Sequence, residues 1–124
     1  MTITSNRKNN GPRAVTYLRV ASQDQDDQRL SVAAQRVACQ CEAERRGVVV
    51  TDEFADVGAS GNSRERAGLQ QLLTTITERS VECVIVRDRA RLARNLADDV
   101  AINAALRQAG VTLVTANQRN GGRL

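Results

Sequence analysis

Histidine and tryptophan are both absent from this chain of 124 residues. Without histidine there is no Ser-His-Asp triad, no imidazole base near neutral pH and none of the common zinc sets. Covalent chemistry must then use Ser, Thr, Cys or Asp, with arginine in support. Aromatic residues make up 2%, namely Tyr17 and Phe54, so the core must be built from Val, Leu, Ile and Ala. That supply suits β-branched strands packed under Leu/Ala helices. The three cysteines, Cys39, Cys41 and Cys83, form no CxxC pair. Cys39 and Cys41 stand two apart, which on a helix sends them to different faces, so they read as reduced thiols and no metal site is expected. No apolar run approaches the ~20 residues of a spanning helix, and no signal-peptide pattern is present, so a cytoplasmic protein without a membrane partner is expected. Lysine is nearly missing as well: of 18 cations only Lys8 is lysine, the rest being arginine, with a net charge of +4. Arginine's planar, permanently charged fork matches phosphate or carboxylate. Composition alone leaves two readings open, a polyanion partner or a solvated surface from a GC-rich genome.

What is present reads as one domain. Residues 1–12 form a polar, basic tail of disordered type, residues 13–116 a core, and residues 117–124 a polar end without a DNA-binding domain. Strand composition runs from Ala14 to Val20, and a Gln- and Asp-rich stretch from Ala21 to Leu30 reads as a loop. Ser31 looks like the N-cap of a helix over 32–46 that Gly47 stops. A second strand covers 48–54. Residues 56–66, with two glycines and two serines, read as a loop, and Leu69, Leu72, Leu73 and Ile76 mark a helix ending near Ser80. A strand over 81–86, an arginine-rich loop over 87–95, a helix over 96–109 closed by Gly110, and a strand over 111–115 complete the pattern. The order β-α-β-α-β-α-β predicts an α/β fold: three layers, with a mainly parallel sheet of four to five strands and helices on both faces.

In such sheets ligands gather at the carboxyl ends of the strands. The loop after Val20 holds no glycine, which sets aside a Rossmann dinucleotide site, and no P-loop is present. An unrelated nucleotide-binding α/β protein therefore stays only as a third alternative. The first loop supplies Ser22, Gln23 and Gln25, with Arg19 at its edge; the second supplies Ser60, Arg64 and Arg66. The third brings Arg87, Arg89, Arg91 and Arg94 within eight residues. Arg91 and Arg94 would share a face if they opened the following helix, and could then grip one phosphate. The competing reading is a solvated charge run paired with Asp88, Asp98 and Asp99. Together, Ser, Gln and several Arg around one sheet edge make a plausible phosphodiester site.

Four stretches share one resemblance. Tyr17-Leu18-Arg19-Val20-Ala21-Ser22 with Gln25 and Gln35, Asp56-Val57-Gly58-Ala59-Ser60-Gly61 with Arg66 and Leu69, Arg91-Leu92-Ala93-Arg94-Asn95, and Ala109-Gly110-Val111-Thr112-Leu113-Val114 resemble the catalytic domain of serine site-specific recombinases, the resolvase and invertase family. The likeness covers about residues 14–116. The long spacing from Gln25 to Gln35 looks more like the large serine recombinases. It implies site-specific DNA recombination through a 5′-phosphoserine intermediate, no metal or cofactor, DNA as partner through its phosphate backbone, and a homo-oligomer (dimer or tetramer) in full-length form. It further implies that Arg19, Arg66, Arg91 and Arg94 match the family's active-site arginines, with Gln25, Asp56 and Ser60 beside them.

Two positions depart from that pattern. Ala21 stands where the family has its nucleophilic serine, and Ala90 where it has an aspartate. Ser22, one residue on, is the candidate relocated nucleophile, although in extended backbone a one-residue step turns the side chain to the opposite face. Two expectations result: a DNA strand-exchange domain acting through Ser22, or a catalytically inactive pseudo-recombinase that binds DNA phosphate or serves in dimerisation.

Overall fold

A computed structural model describes residues 11–58, 66–93 and 95–116. The chain folds as β1 (Arg13–Val20), α1 (Gln25–Arg46), β2 (Val49–Val57), α2 (Ala67–Glu78), β3 (Cys83–Val86), the single turn α3 (Arg89–Leu92), α4 (Leu96–Ala109) and β4 (Thr112–Thr115). The four strands form one parallel sheet in the order β2-β1-β3-β4.

The faces follow from strand alternation. Val15 and Tyr17 of β1 pack with Leu69, Leu72 and Ile76 of α2 and Ile102 and Leu106 of α4, together with Val84 and Val86 of β3. Ala14 and Leu18 point the other way and pack with Cys39 and Ala43 of α1, Cys83, Ile85 and Val114. Helices thus cover both faces of the sheet, the three layers expected. The central strands β1 and β3 are apolar and buried apart from Arg13, Thr16 and Arg19, as a parallel strand covered on both faces requires. The chain leaves β1 to form β2 on one side, then returns across it to form β3 on the other. The carboxyl ends of β1 and β3 therefore flank a topological switch point, where α/β sheets place their ligands.

Several boundaries differ from the sequence reading. The first helix begins at Gln25, not near Val32. Asp24 caps it, its carboxylate accepting the Asp27 N–H at 3.0 Å, and Asp26 and Asp27 place negative charge on the positive end of the helix dipole. Polarity that resembled a loop is the signature of a helix start. Ser31 lies inside this helix, and its hydroxyl accepts from Gln35 Nε2 at 3.0 Å. The second strand runs on to Val57, so Asp56 is a strand residue. Arg91 belongs to the separate turn α3; α4 begins at Leu96 behind its own cap, Asn95, which accepts the Asp98 N–H at 2.8 Å. Arg91 therefore does not open that helix. The expected C-terminal stops hold: Gly47 and Gly110 take left-handed φ values of 72° and 73°. The expectations for residues 1–10, for the end beyond residue 116, and for Ser60, Arg64 and Arg94 lie outside the described residues.

Candidate functional site

Arg19, the last residue of β1 but one, lies on the same face as Tyr17 by strand alternation, above α2 and α3. Its Nε donates to the Arg91 carbonyl at 3.2 Å and its Nη2 to the Ala90 carbonyl at 2.8 Å. Arg66, at the start of α2, sends Nη2 to the Leu92 carbonyl at 3.0 Å. Three successive carbonyls of the α3 turn thus receive two guanidiniums, at the end where helix carbonyls lack internal partners and carry partial negative charge. Arg91 completes the cluster by donating from Nη1 to the Arg19 carbonyl at 3.3 Å. The structure brings Arg19, Arg66 and Arg91 together at the switch point.

They are not equivalent there. Arg66 is 5% exposed and lies 3.5 Å from an Asp98 carboxylate oxygen. Its Nη1 is sealed from solvent and makes no hydrogen bond. Arg19 and Arg91 are only partly covered, and so are the two that face the outside.

Gln35 supports Arg19 from below. This fully buried amide accepts the Arg19 N–H at 3.2 Å and donates to the Arg19 carbonyl at 3.1 Å. It occupies both main-chain polar groups of the last strand residue but one, which fixes where the arginine leaves the sheet. Sequence reasoning grouped Gln35 with the resemblance and gave it no task; a glutamine in an otherwise inward-facing helix position was the available signal.

Asp56, on β2, accepts three hydrogen bonds. It is buried, accepts from Tyr17 Oη at 2.6 Å, and takes the Gly68 and Leu69 N–H groups at 2.8 and 3.0 Å. The residue at the N-cap of α2, Arg66, makes no side-chain cap bond; β2 supplies the capping carboxylate instead. Asp56 therefore positions the helix that carries Arg66 and belongs to the scaffold of the site.

Gln25 is exposed at the first turn of α1 and lines a hollow of about 480 Å³ with Arg29, Val32 and Val57. Ala21 and Ala90 are exposed. The Ser22 hydroxyl accepts the Asp24 N–H at 3.1 Å and lies 3.4 Å from an Asp27 carboxylate oxygen. It sits just ahead of the acidic start of α1.

Burial also sets the ionisation of the core. Desolvation first, then the bond to Asp56, raises the Tyr17 pKa. Burial pushes the Cys39 thiol up to about 12 and raises Cys83 as well. All three are folded in the neutral, protonated form. Their contribution to stability is complete below the unfolded values, about 8.5 for thiols and about 10 for tyrosine, and is lost as pH rises above them. The melting temperature is expected to hold from neutrality to about pH 8.5 and then to fall, with a shallower fall in Cys39→Ala; scanning calorimetry across that range checks it. Equal slopes in the two proteins would mean that Cys39 is not one of the groups responsible.

The comparisons agree with the fold. The family described as "Resolvase, N terminal domain" matches residues 14–123. A protein of Bacillus subtilis (strain 168) named "Putative DNA recombinase" is 31% identical over 101 residues, which are 82% of this chain and 20% of that relative's length. The chain thus spans about a fifth of the curated relative it matches. Among solved structures, the catalytic domain of ISC1926 TnpA, an IS607-like serine recombinase, is 30% identical with a TM-score of 0.73, covering 84% of this chain and 67% of its own. The N-terminal catalytic domain of TP901-1 integrase is 25% identical with a TM-score of 0.77, covering 86% and 79%. A family pattern spanning nearly the whole chain, joined to the same parallel sheet in these catalytic domains, leads to one conclusion: the chain belongs to the resolvase N-terminal domain family, the catalytic-domain family of the serine recombinases.

Proposed function

We propose that this domain works in site-specific DNA recombination by gripping the DNA phosphate backbone through Arg19 and Arg91, and that on its own it holds strands without cutting them. The observation that carries the reading is the mismatch at the end of β1. Two partly exposed guanidiniums converge beside exposed Ala21, while the hydroxyl of Ser22 is engaged at the acidic start of α1. A phosphate drawn to the arginines meets no nucleophile at Ala21, and Asp27 sets charge of the phosphate's own sign beside Ser22. Resting the guanidiniums on carbonyls fixes them before DNA arrives, so less side-chain freedom is lost on binding. No helix among the described residues is long and apolar enough to cross a membrane.

Salt dependence tests the grip. Each phosphate neutralised releases counterions, so log K against log salt has a slope of about −0.9 per contact on duplex DNA. With a fluorescent 30-base-pair mixed-sequence duplex, Arg19→Ala and Arg91→Ala are each expected to make the slope shallower by about one. Arg66→Ala is expected to lower the melting temperature while leaving the slope in place, because Arg66 is buried against Leu92 and Asp98. Unchanged slopes in both Arg19→Ala and Arg91→Ala would remove these two residues from the interface.

A further inference from the structure

We infer that Asp88 is the positioning residue for Arg91, fixing its guanidinium from within the same turn; its relevance to phosphate rests on the function proposed above. Asp88 stands at the N-cap of α3 with extended backbone, φ −153° and ψ 167°. An aspartate there ordinarily accepts a main-chain N–H of the first turn. This one makes no such cap bond, and the Arg91 N–H goes to the Asp88 main-chain carbonyl at 3.1 Å. The carboxylate turns to the guanidinium instead, with Oδ2 3.7 Å from Arg91 Nε.

The atoms beside that contact are the telling ones. Asp88 Oδ1 and Arg91 Nε are both closed off from solvent, and neither makes a hydrogen bond. A buried acceptor and a buried donor, of opposite charge and on residues already in contact, complement each other. Leaving either without a partner is costly, more so for charged groups, so a small rotation that joins them is favoured. Arg91 is then held at two points: Nη1 on the Arg19 carbonyl and Nε on Asp88. The remaining guanidinium edge is the one left to meet a ligand. Residue 90 has no part in holding Arg91 through its side chain, since Ala90 contributes its carbonyl, to Arg19.

The sign of the effect on binding separates positioning from simple charge. Asp88→Asn keeps the shape and raises the net charge by one. If Asp88 were only a negative charge beside a DNA-facing surface, its loss would tighten binding. A positioning role predicts the opposite: Asp88→Asn weakens binding of the 30-base-pair mixed-sequence duplex by roughly three- to tenfold, and Asp88→Glu restores most of it. The full chain is used throughout, with circular dichroism to verify that each variant is folded. The nitrogen-15 resonance of Arg91 Nε gives a readout independent of DNA. It is expected to be shifted and slow to exchange with water in the parent and in Asp88→Glu, and to collapse to the free-arginine position in Asp88→Asn. An Arg91 Nε signal unchanged in Asp88→Asn, or duplex binding as tight as the parent's or tighter, overturns the inference. If the parent itself fails to bind duplex, the proposed function falls, and the Nε signal alone still decides the role of Asp88.

Discussion

Ala21→Ser is expected to convert a chain that leaves DNA intact into one that becomes covalently attached to it. Residue 21 directly follows β1, and by strand alternation it shares the face of Arg19, the face on which the α3 carbonyls gather the guanidiniums. A hydroxyl there would attack phosphorus, forming the serine–phosphate bond as the bond to the 3′ oxygen breaks. The departing 3′ oxygen takes up a proton, and the energy of the phosphodiester is kept in the phosphoserine. Arg19 and Arg91 neutralise the charge that builds on the phosphoryl oxygens. Removing the nucleophile costs on the order of a millionfold in a well-studied covalent enzyme, so the contrast should be between background and a clear signal. The measurement is the fraction of a supercoiled plasmid pool carrying random inserts that is retained with protein after detergent denaturation. The parent is expected to retain none above background. Ala21→Ser is expected to retain DNA, and to go on doing so when Ser22 is also replaced by Ala. Retention by the parent that Ser22→Ala abolishes would make Ser22 the nucleophile and would reject the reading of a domain that holds without cutting.

The contrast between residues 21 and 90 shows what the sequence carried and what it did not. The lack of a hydroxyl at Ala21 is legible because residue identity carries it. At the α3 turn the groups in use are the carbonyls of residues 90, 91 and 92, which every residue type provides. Main-chain acceptors are invisible to residue identity, so the gathering of Arg19 and Arg66 on α3 could not be read in advance. The sheet was legible because β1 and β3 are apolar runs between glycine and charged punctuation, and the ends of α1 and α4 because Gly47 and Gly110 supply left-handed backbone. The start of α1 was missed because aspartates that cap a helix have the composition of a loop. Asp56 was assigned to a loop for a related reason: a carboxylate inside a strand makes sense only beside Tyr17 and the bare N–H groups of α2, which are partners 12 to 39 residues away.

That same junction predicts the largest loss of stability. Gly68 lies in the first turn of α2, where an alanine would ordinarily help by about 1 kcal/mol through helix propensity. Here a Cβ would stand 2.5 Å from the Ala55 carbonyl oxygen, 2.8 Å from its carbon and 3.0 Å from Asp56 Oδ2. The first two are main-chain atoms of β2, held in register as Ala55 opposite Leu18 and Asp56 opposite Arg19, so the strand cannot retreat without disturbing the sheet. The helix must move instead, stretching the Gly68 and Leu69 bonds to Asp56. Overpacking costs about 1–3 kcal/mol, and stretching two bonds to a charged acceptor forfeits part of the about 1.5–3 kcal/mol that each is worth. Gly68→Ala should therefore destabilise by about 3–5 kcal/mol, a large share of the ~5–15 kcal/mol typical of a domain. In a chain of this size that lowers the melting temperature by roughly 10–20 °C. Gly110 provides the control: its φ is 73°, but a Cβ there meets nothing within 4 Å, so Gly110→Ala costs only the backbone strain, about 1–2 kcal/mol. Asp56→Ala should approach the loss at Gly68, and the double variant should lose far less than the two losses added, because both act on the one contact between β2 and α2. A Gly68→Ala protein that melts with the parent would show that β2 and α2 are not locked there, and Arg66 would then need another anchor.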